Sequence, residues 1–129
     1  MKTSFNVIIC GSREFENYEL LKEKCNHLLS RKLKDPDTKV VIVSGCAKGA
    51  DSLGEKYASE TGLEILKYPA DWDRFGKRAG YLRNKQMAEV GNAVIAFMVP
   101  GEDKNRGTKN MISLAKAGNL LVREIIDEE

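Results

Sequence analysis

Val40-Val41-Ile42-Val43-Ser44-Gly45-Cys46-Ala47-Lys48-Gly49-Ala50-Asp51 decides how this chain is read. Four β-branched apolar residues lead into Ser-Gly, a short loop, and a Gly-Ala-Asp that opens a helical pattern. The pattern is a buried strand, a tight turn and a helix N-terminus. Such a junction aims backbone N–H groups and the positive end of a helix dipole at the space above the strand's carboxyl end, which suits an anion. Its glycines let the backbone approach a ligand closely.

Strand and helix signals alternate on both sides of it. Phe5–Cys10 reads as a first strand, and Asn17 as the cap of a helix in which Tyr18, Leu21, Cys25, Leu28 and Leu29 recur at three- and four-residue steps until Lys34-Asp35-Pro36-Asp37. Lys39–Ser44 is the second strand, 50–61 the second helix with Gly62 as its C-terminal cap, and Leu63–Tyr68 the third strand. A loop over 69–77 precedes a helix from Arg78 to Val90 closed by Gly91. Ala93–Val99 is the fourth strand, 100–106 a loop, 107–117 a helix capped by Gly118, and Leu120–Ile126 the last strand, followed by an acidic tail.

Five strands joined by helices predict an α/β, Rossmann-like three-layer sandwich: a five-stranded parallel sheet covered on both faces. Right-handed crossovers give the order 3-2-1-4-5, so the order reverses between strands 1 and 4. Ligands bind above the strand ends at that reversal. The loops there are 11–15 and 100–108, with 44–51 beside them.

The 129 residues, 42% hydrophobic and 31% charged, predict one domain spanning 1–129. A net charge of +2 creates no global field for nucleic acid or a membrane, so an anion-binding face has to be local. The apolar run near the N-terminus is too short for a signal peptide and breaks into Ser12-Arg13-Glu14, and no stretch approaches a membrane span. A cytoplasmic protein is expected. Three cysteines at unrelated spacings (Cys10, Cys25, Cys46) form neither a disulfide framework nor a zinc pattern. No Walker A or Gly-x-Gly-x-x-Gly sequence is present, and no metal or cofactor is called for.

The ordered set Gly11-Ser12-Arg13, Ser44-Gly45-Cys46-Ala47-Lys48-Gly49-Ala50-Asp51, Pro69-Ala70-Asp71-Trp72, Ala79-Gly80 with Arg83-Asn84 and Met87, and Gly107-Thr108 resembles the YspA-type (YAcAr) branch of the SLOG superfamily. The resemblance implies a Rossmann-like fold that binds nucleotides or nucleotide-derived ligands, and self-association is common among such relatives. The superfamily includes the lonely-guy phosphoribohydrolases and DNA-processing protein A (Smf). The first carry Pro-Gly-Gly-x-Gly-Thr-x-x-Glu after the fourth strand, whose glutamate takes part in cleaving an N-glycosidic bond. Here Gly107-Thr108-Lys109-Asn110-Met111 has Met111 at that place, while Arg83 matches the arginine of their preceding helix. Cys46 stands where the branch usually has its second glycine. The 44–51 loop also resembles the Ser-Gly-x-Ala-x-Gly-Ile-Asp of DNA-processing protein A, but near-neutral charge and no series of stacking aromatics argue against single-stranded DNA.

Ligand contacts are therefore expected from Gly11, Ser12, Arg13, Ser44, Gly45, Cys46, Ala47, Gly49, Ala50, Asp51, Arg83, Asn84, Gly107 and Thr108. Arg13 is a fork for a phosphate or a surface ion pair. Asp51 either offsets its helix dipole, holds a ribose hydroxyl, or acts as the acid or base of an enzyme, a role also open to Glu14, Glu102 or Asp103. Thr108 is a helix cap, a phosphate ligand or both. Trp72 and Phe75 stack on a base or pack over the sheet end. His27, Lys48 and Lys104 read as solvated, and Cys46 as an inert loop thiol. The leading expectation is a module that binds or senses a nucleotide-derived small molecule; the alternative is a hydrolase acting on a nucleotide's glycosidic or phosphate bond, and the third is a single-stranded DNA binder.

Overall fold

The computed structural model describes residues 2–128; Met1 and Glu129 lie outside it. Its strands are β1 (Thr3–Gly11), β2 (Thr38–Ser44), β3 (Glu64–Lys67), β4 (Ala93–Met98) and β5 (Leu121–Ile126). The helices are α1 (Tyr18–Leu28), α2 (Ser30–Lys34), α3 (Ala50–Thr61), α4 (Trp72–Phe75), α5 (Ala79–Val90) and α6 (Arg106–Ala117). All strand pairings are parallel, in the order β3-β2-β1-β4-β5. The expected α/β architecture and its order reversal between β1 and β4 are therefore present.

Alternation along β1 divides the core. Val7 and Ile9 join Leu21 and Cys25 of α1 and Tyr57 and Ala58 of α3, whereas Ile8 and Cys10 join Met87 of α5 and Met111, Ile112 and Ala115 of α6. Successive strand side chains point to opposite faces, so a central strand needs apolar residues at every position. Burying each aliphatic side chain contributes about 1.5–3 kcal/mol, and Val7, Ile8 and Ile9 have no exposed surface. α3 comes so close to β1 that a Cβ on Gly54 would lie 2.7 Å from Ile9 Cγ2.

Three local readings change. The helix expected to run to Lys34 breaks at Leu29, which ends α1 and precedes α2. Leu29 stays buried while Arg31, Lys32 and Lys34 face water, so the turn keeps one apolar residue in the core. The segment expected as a loop over 69–77 contains α4, whose N-cap Asp71 accepts from the Arg74 N–H at 3.1 Å, and a 3-10 turn over Gly76–Arg78. Both α3 and α6 end in paired backbone hydrogen bonds of the Schellman kind. At α3 the left-handed residue is Gly62 (φ 72°), as expected; at α6 it is Asn119 (φ 60°) rather than Gly118. Asparagine tolerates that conformation better than other residues with a Cβ. Among the described residues, no helix is long and apolar enough to cross a membrane.

Candidate functional site

At the reversal, backbone hydrogen bonds join the three loops. The Ser12 N–H donates to the Phe97 carbonyl at 2.9 Å, and the Ser12 carbonyl accepts from the Ala50 N–H at 3.2 Å. Its hydroxyl accepts from the Glu14 N–H at 3.1 Å. Thus a buried serine links β1 to both β4 and α3. Gly49, with φ 80°, passes so close to this serine that a Cβ would lie 2.4 Å from the Ser12 carbonyl oxygen. Ser44 is equally occupied: its hydroxyl donates to Glu55 Oε2 at 2.6 Å and accepts from the Cys46 N–H at 3.1 Å.

Beside this linkage lies a cleft of about 100 Å³, bounded by Gly11, Arg13, Ala47, Asp51, Arg83, Asn84, Lys104, Gly107 and Thr108, with Cys10, Met87 and Met111 on its apolar side. Two wider spaces adjoin it and share Arg13 and Arg83. One, of about 320 Å³, reaches Gly45, Cys46, Lys48, Pro69, Ala70 and Trp72; the other, of about 150 Å³, reaches Trp72, Lys77, Gly80 and Tyr81. Ten of the expected contact residues meet here: Gly11, Arg13, Gly45, Cys46, Ala47, Asp51, Arg83, Asn84, Gly107 and Thr108. Ser12, Ser44, Gly49 and Ala50 line none of these spaces, and the hydrogen bonds and close contacts above show them shaping the loops. A groove of about 540 Å³ opens at the opposite sheet end, but its Lys39 is already paired with Glu64 at 2.6 Å.

Charge in the cleft is strongly organised. The Arg83 guanidinium donates to the Gly45 carbonyl and, through Nε, to Asn84 Oδ1 at 2.9 Å. The Asn84 amide then donates to the Gly107 carbonyl at 3.2 Å and to Asn110 Oδ1 at 2.9 Å, tying α5 to the start of α6. Among the described residues neither Arg13 nor Arg83 forms an ion pair with a carboxylate. Arg13 lies 6.0 Å from the centre of the Trp72 ring. Lys104, expected to be merely solvated, reaches the cleft and meets Glu14 at 3.5 Å.

Asp51 supplies the opposing charge. Its buried carboxylate accepts from the Ala47 N–H at 3.2 Å. Burial pushes its pKa up to about 6, against the lowering effects of the Ala47 hydrogen bond and the Arg83 charge. Gly45 makes room for this arrangement, since a Cβ there would stand 2.7 Å from Arg83 Nη1 and 2.9 Å from Asp51 Oδ2.

The two helix N-termini differ. At α3 the Ala50 N–H is taken by Ser12, and Asp51 occupies the first turn. At α6 the N-cap Asn105 turns its amide to the Val99 and Gly101 carbonyls and gives no side-chain cap. The free positive end beside the cleft is that of α6, where Gly107 and buried Thr108 lie. Thr108 stands inside the helix and does not cap it.

Cys46 adopts φ 64°, the left-handed region in which a Cβ costs about 1–2 kcal/mol. Burial raises its thiol pKa, with Glu55 adding to the effect, in keeping with an unreactive thiol. Glycine relieves the backbone strain but gains freedom in the unfolded chain. Cys46→Gly is therefore expected to stabilise the protein by about 0.5–1 kcal/mol, seen as a higher denaturant midpoint at unchanged slope.

Met87, part of the ordered motif set, borders these spaces, as do Cys10, Lys77 and Tyr81, which no motif marks. Cys10 reads in the sequence only as the end of the first strand. Lys77 and Tyr81 carry no signal beyond proximity to Ala79-Gly80.

An open parallel sheet whose order reverses between β1 and β4 defines the class: a doubly wound α/β domain. The profile of the YspA, cpYpsA-related SLOG family (YAcAr) matches residues 5–75, and the chain belongs to that family. It is also 30% identical over 118 residues to the Gene 61 protein of Mycobacterium phage D29, which covers 87% of this chain and 90% of the phage protein. No solved structure matches it.

Proposed function

We propose that the chain binds a phosphate-bearing, nucleotide-derived small molecule in the cleft between the loops after β1, β2 and β4. One observation carries this reading: Arg13 and Arg83, whose guanidinium groups have no carboxylate partner among the described residues, converge on a cleft that also receives Lys104 and the uncapped start of α6. Family membership supports the nucleotide-related class of ligand. The phosphate fits toward Gly107 and Thr108, away from the Asp51 carboxylate, which is suited to a sugar hydroxyl.

Calorimetry against nucleoside monophosphates, cyclic nucleotides and ADP-ribose derivatives is expected to find a ligand. Arg13→Ala and Arg83→Ala should each weaken it by about 1–3 kcal/mol, the range for a charged hydrogen bond. A ligand that binds both variants as tightly as wild type would place the phosphate elsewhere.

Asp51 favours a second reading, hydrolysis of a glycosidic or phosphate bond. A buried carboxyl titrating near pH 6 beside a ligand cleft has the character of a general acid or base. Met111, at the cleft where the lonely-guy motif has glutamate, has a thioether that cannot do that work. Release of free base from AMP, measured by chromatography and lost in Asp51→Asn, would favour this second reading over binding alone.

A further inference from the structure

Trp72 is 49% exposed, although burying so large an apolar side chain would be favourable. It is nonetheless held in place. Trp72 opens α4, directly after the N-cap Asp71, and its benzo edge rests on Gly80, where a Cβ would lie only 3.3 Å from Cη2. The Arg13 guanidinium lies 6.0 Å from its centre. A positioned, water-exposed aromatic face therefore stands next to a charged cleft.

The dimensions of the spaces give it a use. The inner cleft, of about 100 Å³, has room for a phosphate-sized group and little more, so the rest of any larger ligand must extend outward. The roomiest adjoining space, of about 320 Å³, opens between Arg13 and Arg83 and is walled by Trp72, Pro69, Ala70 and Cys46. We infer that this space takes a flat heteroaromatic ring, the base of a nucleotide, stacked on the Trp72 indole while its phosphate lies in the inner cleft. The inference rests on the phosphate-site reading above and adds to it the subsite and the chemistry of the second moiety. Stacking recognises the π-face that every base presents, so Trp72 supplies affinity for an aromatic ring and not the choice among bases.

Trp72 is the sole tryptophan of the chain, so its own emission reports on the subsite. The experiment titrates wild type, Trp72→Ala and Trp72→Phe with AMP, GMP, CMP and UMP, and with ribose 5-phosphate, by calorimetry and, for wild type, by fluorescence. At least one nucleotide is expected to change the Trp72 emission and to bind about tenfold or more tightly than ribose 5-phosphate. Trp72→Ala should bring that nucleotide down to the affinity of ribose 5-phosphate and leave the sugar phosphate unaffected, and Trp72→Phe should keep most of the difference. Nucleotides that bind no better than ribose 5-phosphate, or an equal loss of both in Trp72→Ala, would overturn the stacking subsite while leaving the phosphate site standing. Failure of every probe, sugar phosphate included, would instead remove the phosphate-site reading and the inference with it.

Discussion

Gly11→Ala is expected to deprive the chain of a stable native state. A Cβ at this position would lie 1.9 Å from the Phe97 carbonyl oxygen and 2.7 Å from Ala50 Cβ. The first atom belongs to the backbone of a central strand and cannot turn aside as a side chain can. Relief requires β1 to move away from β4, which breaks the Ser12 to Phe97 hydrogen bond and opens the core around Ile9 and Phe97. Overpacking alone costs typically about 1–3 kcal/mol, and lost sheet bonds add to it. A total above about 4 kcal/mol is a large part of the 5–15 kcal/mol that holds a domain of ordinary stability together. Circular dichroism and denaturant titration check this: Gly11→Ala should be unfolded or have a much lower midpoint, and a variant with wild-type stability would contradict the close packing of β1 on β4.

Asp51→Asn is expected to act in the opposite direction, and only above a certain pH. The carboxyl has a pKa near 6 in the folded protein against an ordinary 3.8. The native state thus binds this proton more tightly than the unfolded chain, and stability falls as pH rises from about 4 to about 6, then stays level as far as this group is concerned. A difference of two pH units corresponds to about 3 kcal/mol. Asparagine retains an oxygen to accept the Ala47 N–H and carries no charge to desolvate. The variant should be more stable than wild type by about 2–3 kcal/mol near neutral pH, with the gain vanishing below about pH 4. Equal gains at both pH values would show that the cost of Asp51 is not one of ionisation.

The sequence itself makes most of the fold legible and less of the cleft. β1, β2 and β4 are legible as near-continuous apolar runs, β3 and β5 as shorter mixed ones, and five strands alternating with helices admit few sheet orders. The break at Leu29 is not legible, since Leu28, Leu29 and the residues after them continue a plausible helical stripe; only the position of the core decides where the helix turns. At the cleft, motif and local pattern mark Arg13, Asp51, Arg83 and Thr108, which line it. Ser12, Ser44, Gly49 and Ala50 carry the same signature as ligand contacts, because a tight loop satisfied by its own serines uses the residue types of one satisfied by a phosphate. Lys104 reads as solvated in the sequence because nothing in a lone loop lysine tells which way it reaches.

The backbone bonds of Ser12 have a consequence for how the domain is assembled. Its two partners, Ala50 and Phe97, lie far along the chain in the same direction and belong to different elements. The first loop therefore has both of its backbone partners only when β4 is paired with β1, and contacts of such sequence separation slow folding. A nascent or truncated chain that ends before β4 retains every helix but α6, and lacks the side of the cleft formed by Lys104, Gly107, Thr108 and Met111.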